Sequence, residues 1–327
     1  DGIQDQFAEF WKTVAVYFKD EPNVMGYEVI NEPFTANYHS NPFYYIPYLN
    51  DIFHLTPLYD KVNEKIREVD QNTLLFFEPT ITGNYIFLYR APGGSAHNSR
   101  SVLSFHVYCG AVTAEGEPTD MDECHRQDTN QFSAKWGWAQ YFGLAASLTE
   151  FGALSNSKSS SLEVHYIANL SEANFNSWYY WQFKYYMDIT TAANPGTTES
   201  FYFNDGLLQT DKVKALARSY AYKVCGTPKF TEFNPETGMF RLEYIPGSCN
   251  GKNTEVYLSE DFYYPNGFAA TFSGCDECKL VPVSVEQKYY YEIKIQGAAK
   301  GKVSLTVVPS QAEEDYGFIS IYLMMYC

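Results

Sequence analysis

The sequence predicts an α/β unit over residues 1–227 followed by an all-β sandwich over residues 228–327. Three observations carry this reading. Short apolar runs alternate with amphipathic stretches through the first two thirds of the chain, polar residues collect just past the ends of those runs, and the texture changes after about residue 227.

Ile3, Phe7, Phe10, Trp11, Val14 and Phe18 recur at helical spacing, and Asp20-Glu21-Pro22-Asn23 stops that helix. Val24–Ile30 is then a short buried strand that runs straight into Asn31-Glu32-Pro33. Tyr59, Val62, Ile66 and Val69 mark a second helix, and the strand Thr73–Phe77 ends in Glu78-Pro79. Ser101–Phe105 is a strand ending in His106-Val107-Tyr108. A helical stretch from Trp136 to Phe142 precedes the strand Ala146–Thr149, which ends in Glu150. A helix near Ser161–Ala173 leads to the strand Trp178–Trp181, and an amphipathic helix over Asp211–Val224 closes the series.

Strands alternating with helices call for a parallel sheet with right-handed crossovers. Glu32, Glu78, His106, Tyr108, Glu150 and Trp181 all fall at or just past strand carboxyl ends, the active-site face of a (β/α)8 barrel. A doubly wound open sheet also uses its strand ends. Beyond residue 227, Met239–Tyr244, Thr254–Leu258, Tyr289–Ile295 and Lys302–Val308 are short alternating runs between Gly and Pro turns, the pattern of a β-sandwich with an ancillary role.

The 327 residues are 45% hydrophobic, enough for a large core, and the net charge of −16 without a basic cluster disfavours nucleic acid or an anionic membrane as partner. Aromatic residues make up 18%, a composition that suits sugar rings and lipid tails and equally a β-rich core. The seven cysteines lack metal-ligand spacing. Cys109 and Cys124 bracket a polar loop that a disulfide would pin, which points to an oxidising compartment, and the sequon Asn169-Leu170-Ser171 agrees. An odd count leaves one thiol free or paired outside this sequence. No apolar run approaches the ~20 residues of a membrane helix.

Retaining glycoside hydrolysis needs two carboxyl groups, and those on different barrel strand ends converge on one cavity. Glu32, followed by Pro33, is presented by a turn rather than buried in the sheet, and Asn31 is placed to bond a sugar hydroxyl; alone, Asn-Glu-Pro is an ordinary turn. Glu150 ends a strand before Phe151-Gly152, where it reads as a nucleophile or as a helix-capping carboxylate. His106 and Tyr108 share one side-chain phase. The Tyr108 hydroxyl would keep Glu150 ionised while a less solvated Glu32 kept its proton; a satisfied core His and a buried Tyr are the plain alternative. Trp181 offers a flat floor for a pyranose ring or is a core Trp, with Gln182 and Lys184 just beyond it.

The ordered series Gly26-Tyr27-Glu28-Val29-Ile30-Asn31-Glu32-Pro33, Phe105-His106-Val107-Tyr108, Thr149-Glu150-Phe151-Gly152 and Trp178-Tyr179-Tyr180-Trp181 resembles glycoside hydrolase family five, and within it the endoglycoceramidases and related glycosylceramide-cleaving enzymes. The resemblance implies a (β/α)8 barrel followed by a β-sandwich, with Glu32 as general acid/base and Glu150 as nucleophile. It implies Asn31, His106 and Tyr108 as supporting groups and Trp181 beneath the sugar on the glycan side of the cleaved bond. No metal or organic cofactor and no protein partner is implied. The substrate would be a glycosphingolipid or another β-glycoside, with transient contact to a lipid surface, and the location secreted or lysosomal. Family members carry three βα units upstream, so the sequence reads as strands 4 to 8 of the barrel, a fragment expected to expose apolar edges and to be unstable or inactive alone. The aromatic-rich stretch from Asn37 to Leu55 would hold ceramide tails, or pack as a loop hiding its own rings. A β-glucanase acting on polysaccharide and a catalytically inactive carbohydrate-binding relative are the alternatives.

Overall fold

The computed structural model describes residues 2–311 apart from 36, 47, 82–89, 185–198 and 204. The chain divides into two compact units, 1–216 and 217–327.

In the first unit, α1 (Gly2–Phe18) buries Ala8 and Ala15 and packs Phe7, Trp11 and Val14 on the core. Its partner α2 (Thr56–Arg67) contributes Tyr59, Val62 and Ile66 to the same cluster. Strands β1 (Gly26–Glu28), β2 (Leu74–Phe77), β3 (Ser101–Val107), β4 (Ala145–Phe151) and β5 (Ser177–Trp178) form one parallel sheet in the order β1-β2-β3-β4-β5. A doubly wound sheet reverses its strand order at a switch point; this sheet has no reversal, the arrangement of a barrel wall. Gly26 is required on β1, because a Cβ there would come within 2.4 Å of the Phe76 ring on β2.

Helix α3 (Met121–Phe142) is about four turns longer at its start than the apolar pattern predicts. Asp120 caps it by accepting the Glu123 N–H at 3.0 Å, and Gly143 ends it at φ 66°. Its inward positions include Cys124, Asp128 and Lys135, so apolar periodicity does not mark the first half. Helix α4 (Lys158–Ala173) starts on a Ser157 cap. The sequon falls in its last turns with Ser171 buried, whereas a glycan acceptor needs an exposed segment. The expected helix over Asp211–Val224 is shorter: α5 (Thr210–Leu216) stops early, and β6 (Tyr220–Lys223) pairs in the sheet of the second unit.

The β3–β4 ladder contains the local feature that matters most. Phe105 pairs with Leu148, but the next pair is His106 with Glu150, so β4 carries one extra residue, Thr149. This β-bulge breaks the alternation of side chains. Leu148 and Phe151 both enter the core cluster beneath the helices, while Thr149 and Glu150 in between both turn to the opposite face.

The second unit is the expected β-sandwich. Strands β7 (Gly226–Asn234), β8 (Met239–Pro246), β9 (Thr254–Tyr257), β10 (Phe268–Pro282) and β11 (Tyr290–Pro309) join β6 in antiparallel order β6-β9-β11-β8-β7, with β10 along β11. The first part of β11 pairs with β9 and its later part with β8, so one long strand serves both halves around a core that includes Phe240, Leu242, Val256 and Leu305.

Among the described residues there are three disulfides: Cys109–Cys124 as expected, Cys225–Cys249 and Cys275–Cys278. The seventh cysteine, Cys327, lies outside the described residues. Among the described residues no helix is long and apolar enough to cross a membrane.

Candidate active site

The strand ends bring four of the six singled-out residues into direct contact. Glu32 follows β1, His106 and Tyr108 end β3 and pass beyond it, and Glu150 sits after the β4 bulge. His106 Nδ1 lies 2.7 Å from Glu32 Oε1 and 3.3 Å from Glu150 Oε2. The Tyr108 hydroxyl donates to Glu150 Oε2 at 2.8 Å. One oxygen of each carboxylate and a nitrogen of His106 all lie within 4.8 Å of one another.

Trp181 runs beside this group, its N–H bonded to the Phe151 carbonyl at 2.9 Å and its indole N–H 3.3 Å from Glu199. Gly152 makes that approach feasible: at φ 129°, a Cβ would meet the Tyr180 ring at 2.5 Å and the Trp181 carbonyl at 2.7 Å. Asn31 is exposed next to Glu32. Gln182 bonds Glu199 at 3.3 Å, and Lys184 is exposed.

Glu32 adopts φ 42°, a left-handed conformation unusual for a non-glycine residue, rather than the extended one expected before Pro33. Its N–H is held by Glu78 Oε2 at 2.6 Å. The other oxygen of Glu78 meets His106 Nε2 at 2.6 Å, so Glu78, whose side chain is 4% exposed, belongs to the site. The sequence carried a signal for it: Glu78-Pro79 repeats the strand–Glu–Pro pattern of Glu32-Pro33. Lys135 on α3, buried and donating to the His106 carbonyl at 2.7 Å, had no such signal. Beneath them Ser104 bonds Thr149 at 2.5 Å and also Glu28. A cavity of 180 Å3 opens beside Glu32, lined among others by Glu78, His106, Tyr108, Gln131 and Lys135.

Charge explains the protonation of these groups. Burial works against the His106 imidazolium, but its bonds to Glu32 and Glu78 and the charges of Glu78 and Glu150 prevail and raise it to about 9. The His106 hydrogen bond holds Glu32 below the usual carboxylate range. Burial raises Glu150, opposed by His106 and by the Tyr108 hydroxyl. Tyr108 is pushed far up by burial and by Glu150, so it stays a donor. Burial lowers Lys135 to about 8. The solvation order is the reverse of the one expected from sequence: the Glu32 side chain is 33% exposed and that of Glu150 13%.

Residues 1–187 match the family described as cellulase (glycosyl hydrolase family 5), and residues 218–307 match the glycoside hydrolase family 5 C-terminal domain. The chain belongs to glycoside hydrolase family 5. Among curated relatives of this family 5 chain are an endoglycoceramidase of Hydra vulgaris, 31% identical over 277 residues, and one of Cyanea nozakii, 30% identical over 274. The alignments cover 82% and 83% of this chain but 48% and 52% of those proteins, so the chain spans about half the length of the curated relatives it matches. In solved structures, endo-glycoceramidase II from Rhodococcus sp. in complex with ganglioside GM3 superposes with a TM-score of 0.74 at 20% identity, covering 94% of this chain and 64% of that one. That likeness establishes the fold: a family 5 barrel-type α/β unit followed by a β-sandwich.

Proposed function

We propose that this chain carries the catalytic centre of a retaining β-glycosidase that cleaves the bond between glycan and ceramide in glycosphingolipids. The observation that carries the proposal is the approach of a Glu32 oxygen and a Glu150 oxygen to within 4.8 Å. Retaining enzymes hold their carboxyl groups about 5–5.5 Å apart, whereas inverting ones leave about 6.5–9.5 Å for a water.

In the first step a Glu150 oxygen bonds to the anomeric carbon as the bond from that carbon to the leaving oxygen breaks, and the leaving oxygen receives the proton shared by Glu32 and His106 across their 2.7 Å contact. Esterification removes the Glu150 charge, which favours ionised Glu32. In the second step Glu32 takes a proton from water, the water oxygen bonds to the anomeric carbon, and Glu150 leaves as carboxylate. Tyr108 keeps Glu150 ionised as nucleophile and leaving group. Asn31 and Trp181 are the groups we assign to the sugar.

The ceramide reading draws support from the endoglycoceramidase relatives and from the loop after Glu32. Phe34, Phe43, Tyr45 and Phe53 are each more than half exposed, so these rings are not hidden by their own loop and offer an apolar surface for lipid tails. The three disulfides support a secreted or lysosomal location. A β-glucanase is the second reading, favoured by the cellulase match over residues 1–187.

The test uses full-length protein with a fluorescent glycosphingolipid and a soluble β-glucan. Turnover of the lipid, reduced about 10,000-fold by Glu150→Gln, is the expected result. Turnover of glucan alone would replace the ceramide reading, and undiminished activity of the variant would remove Glu150 as nucleophile.

A further inference from the structure

We propose that Glu78 is a positioning residue for proton transfer, acting through His106 and through the backbone of Glu32 to set where the shared proton resides. The proposal rests on the reading of Glu32 as acid/base.

A single buried carboxylate spans both partners. Glu78 Oε1 meets His106 Nε2 at 2.6 Å, and Oε2 accepts the Glu32 N–H at 2.6 Å. The second bond pins the strained turn at φ 42°, and with it the direction of the Glu32 side chain. The main chain of Glu78 is fixed in turn, because the buried Tyr59 hydroxyl donates to its carbonyl at 2.7 Å. Side-chain contacts from several elements surround the imidazole: Glu28 on β1, Glu32 after it, Glu78 after β2, Tyr108 after β3 and Glu150 on β4. Lys135 on α3 reaches the His106 carbonyl, and Glu199 bears on Tyr108 from beyond β5.

Two arrangements hold the same number of protons. In one, imidazolium donates from Nδ1 to ionised Glu32 and from Nε2 to Glu78. In the other, protonated Glu32 donates to Nδ1 while neutral His106 still donates from Nε2 to Glu78. Moving one proton over 2.7 Å interconverts them. The second arrangement is the one that protonates a leaving group, and it requires an anionic acceptor at Nε2. After the first chemical step Glu32 is ionised and His106 neutral. The proton taken from water in the second step restores the pair, and the Nε2 proton never leaves.

Glu78→Gln separates charge from shape. The glutamine oxygen still accepts the Glu32 N–H, but its amide N–H faces Nε2, so neutral His106 must carry its proton on Nδ1 and donate it to Glu32. Glu32 is then held ionised. On a glycolipid, whose leaving group needs a proton, the alkaline limb of kcat/KM should move down by about 1–3 pH units, the range for losing an adjacent opposite charge. The shift should shrink on a 2,4-dinitrophenyl β-glycoside, whose leaving group departs without a proton. Glu78→Asp keeps the charge and should hold the limb within about half a unit of wild type at a lower rate. A Glu78→Gln profile parallel to wild type overturns the proposal, and so does a Glu78→Asp limb displaced as far as that of Glu78→Gln. If Glu32→Gln retains wild-type turnover of the glycolipid, the acid/base reading itself fails. If it does not, a parallel Glu78→Gln profile fails Glu78 alone.

Discussion

Replacing Tyr108 by Phe removes one oxygen and leaves the ring in place, so it isolates the 2.8 Å bond to Glu150. Hydrogen bonds to charged groups contribute roughly 1.5–3 kcal/mol, and one pKa unit corresponds to about 1.4 kcal/mol. Burial already raises Glu150 and the Tyr108 bond opposes it, so deleting the hydroxyl raises Glu150 further. In the proposed mechanism Glu150 attacks as the ionised carboxylate. The acid limb of kcat/KM in Tyr108→Phe should therefore move upward by roughly 1–2 pH units, with a roughly 10- to 100-fold loss at the acid end that narrows as pH rises. The assay is hydrolysis of a soluble activated β-glycoside across the acid range, with thermal unfolding as a control for folding. A uniform loss at every pH with an unmoved acid limb would refute the assignment of Tyr108 to the ionisation of Glu150.

Cys109–Cys124 closes a loop of 15 residues, for which the chain-entropy estimate is about 3 kcal/mol; the double Ser variant should melt roughly 6–12 °C lower in a calorimeter, and an unchanged Tm would show that the bond contributes nothing. Asp128 and Glu163 are buried together between α3 and α4, and burial, then the neighbouring Glu163, raises Asp128 far above the usual carboxylate range. Stability from such a group is complete below its unfolded value and declines as pH rises toward the folded one, so wild-type Tm should fall between mildly acid and neutral pH more steeply than that of Asp128→Asn; equal slopes would contradict this. Phe43→Ser with Phe53→Ser should lower turnover of vesicle-borne glycolipid about tenfold while sparing a soluble glycoside, and equal losses on both would detach these rings from lipid handling.

The barrel strands were legible because their apolar runs end abruptly in polar residues, as at Ile30-Asn31-Glu32 and Phe105-His106. The order of the sheet was not, since strand ends look alike in open and closed α/β folds until pairing is seen. Helix α3 was half hidden because Asp128 and Lys135 point inward where periodicity expects apolar residues. Glu32, His106, Tyr108 and Glu150 could be named from sequence, but not their hydrogen bonds. The two carboxylates also differ in environment in the direction opposite to expectation, because His106 faces Glu32 more closely than Glu150 and because Glu150 is the better covered. Glu78 was visible at a strand end, yet its importance comes from reaching a backbone N–H 46 residues away, a contact that no local pattern encodes.

The extra residue in β4 gives the cavity face two adjacent side chains, Thr149 and Glu150, from one strand. Between the inward-packed Leu148 and Phe151 there are two residues where regular alternation allows one. Removing Thr149 alone would restore even spacing with Glu150 still paired to His106 between Leu148 and Phe151, so what the bulge adds is Thr149 itself, whose hydroxyl meets Ser104 beneath the carboxylates at 2.5 Å.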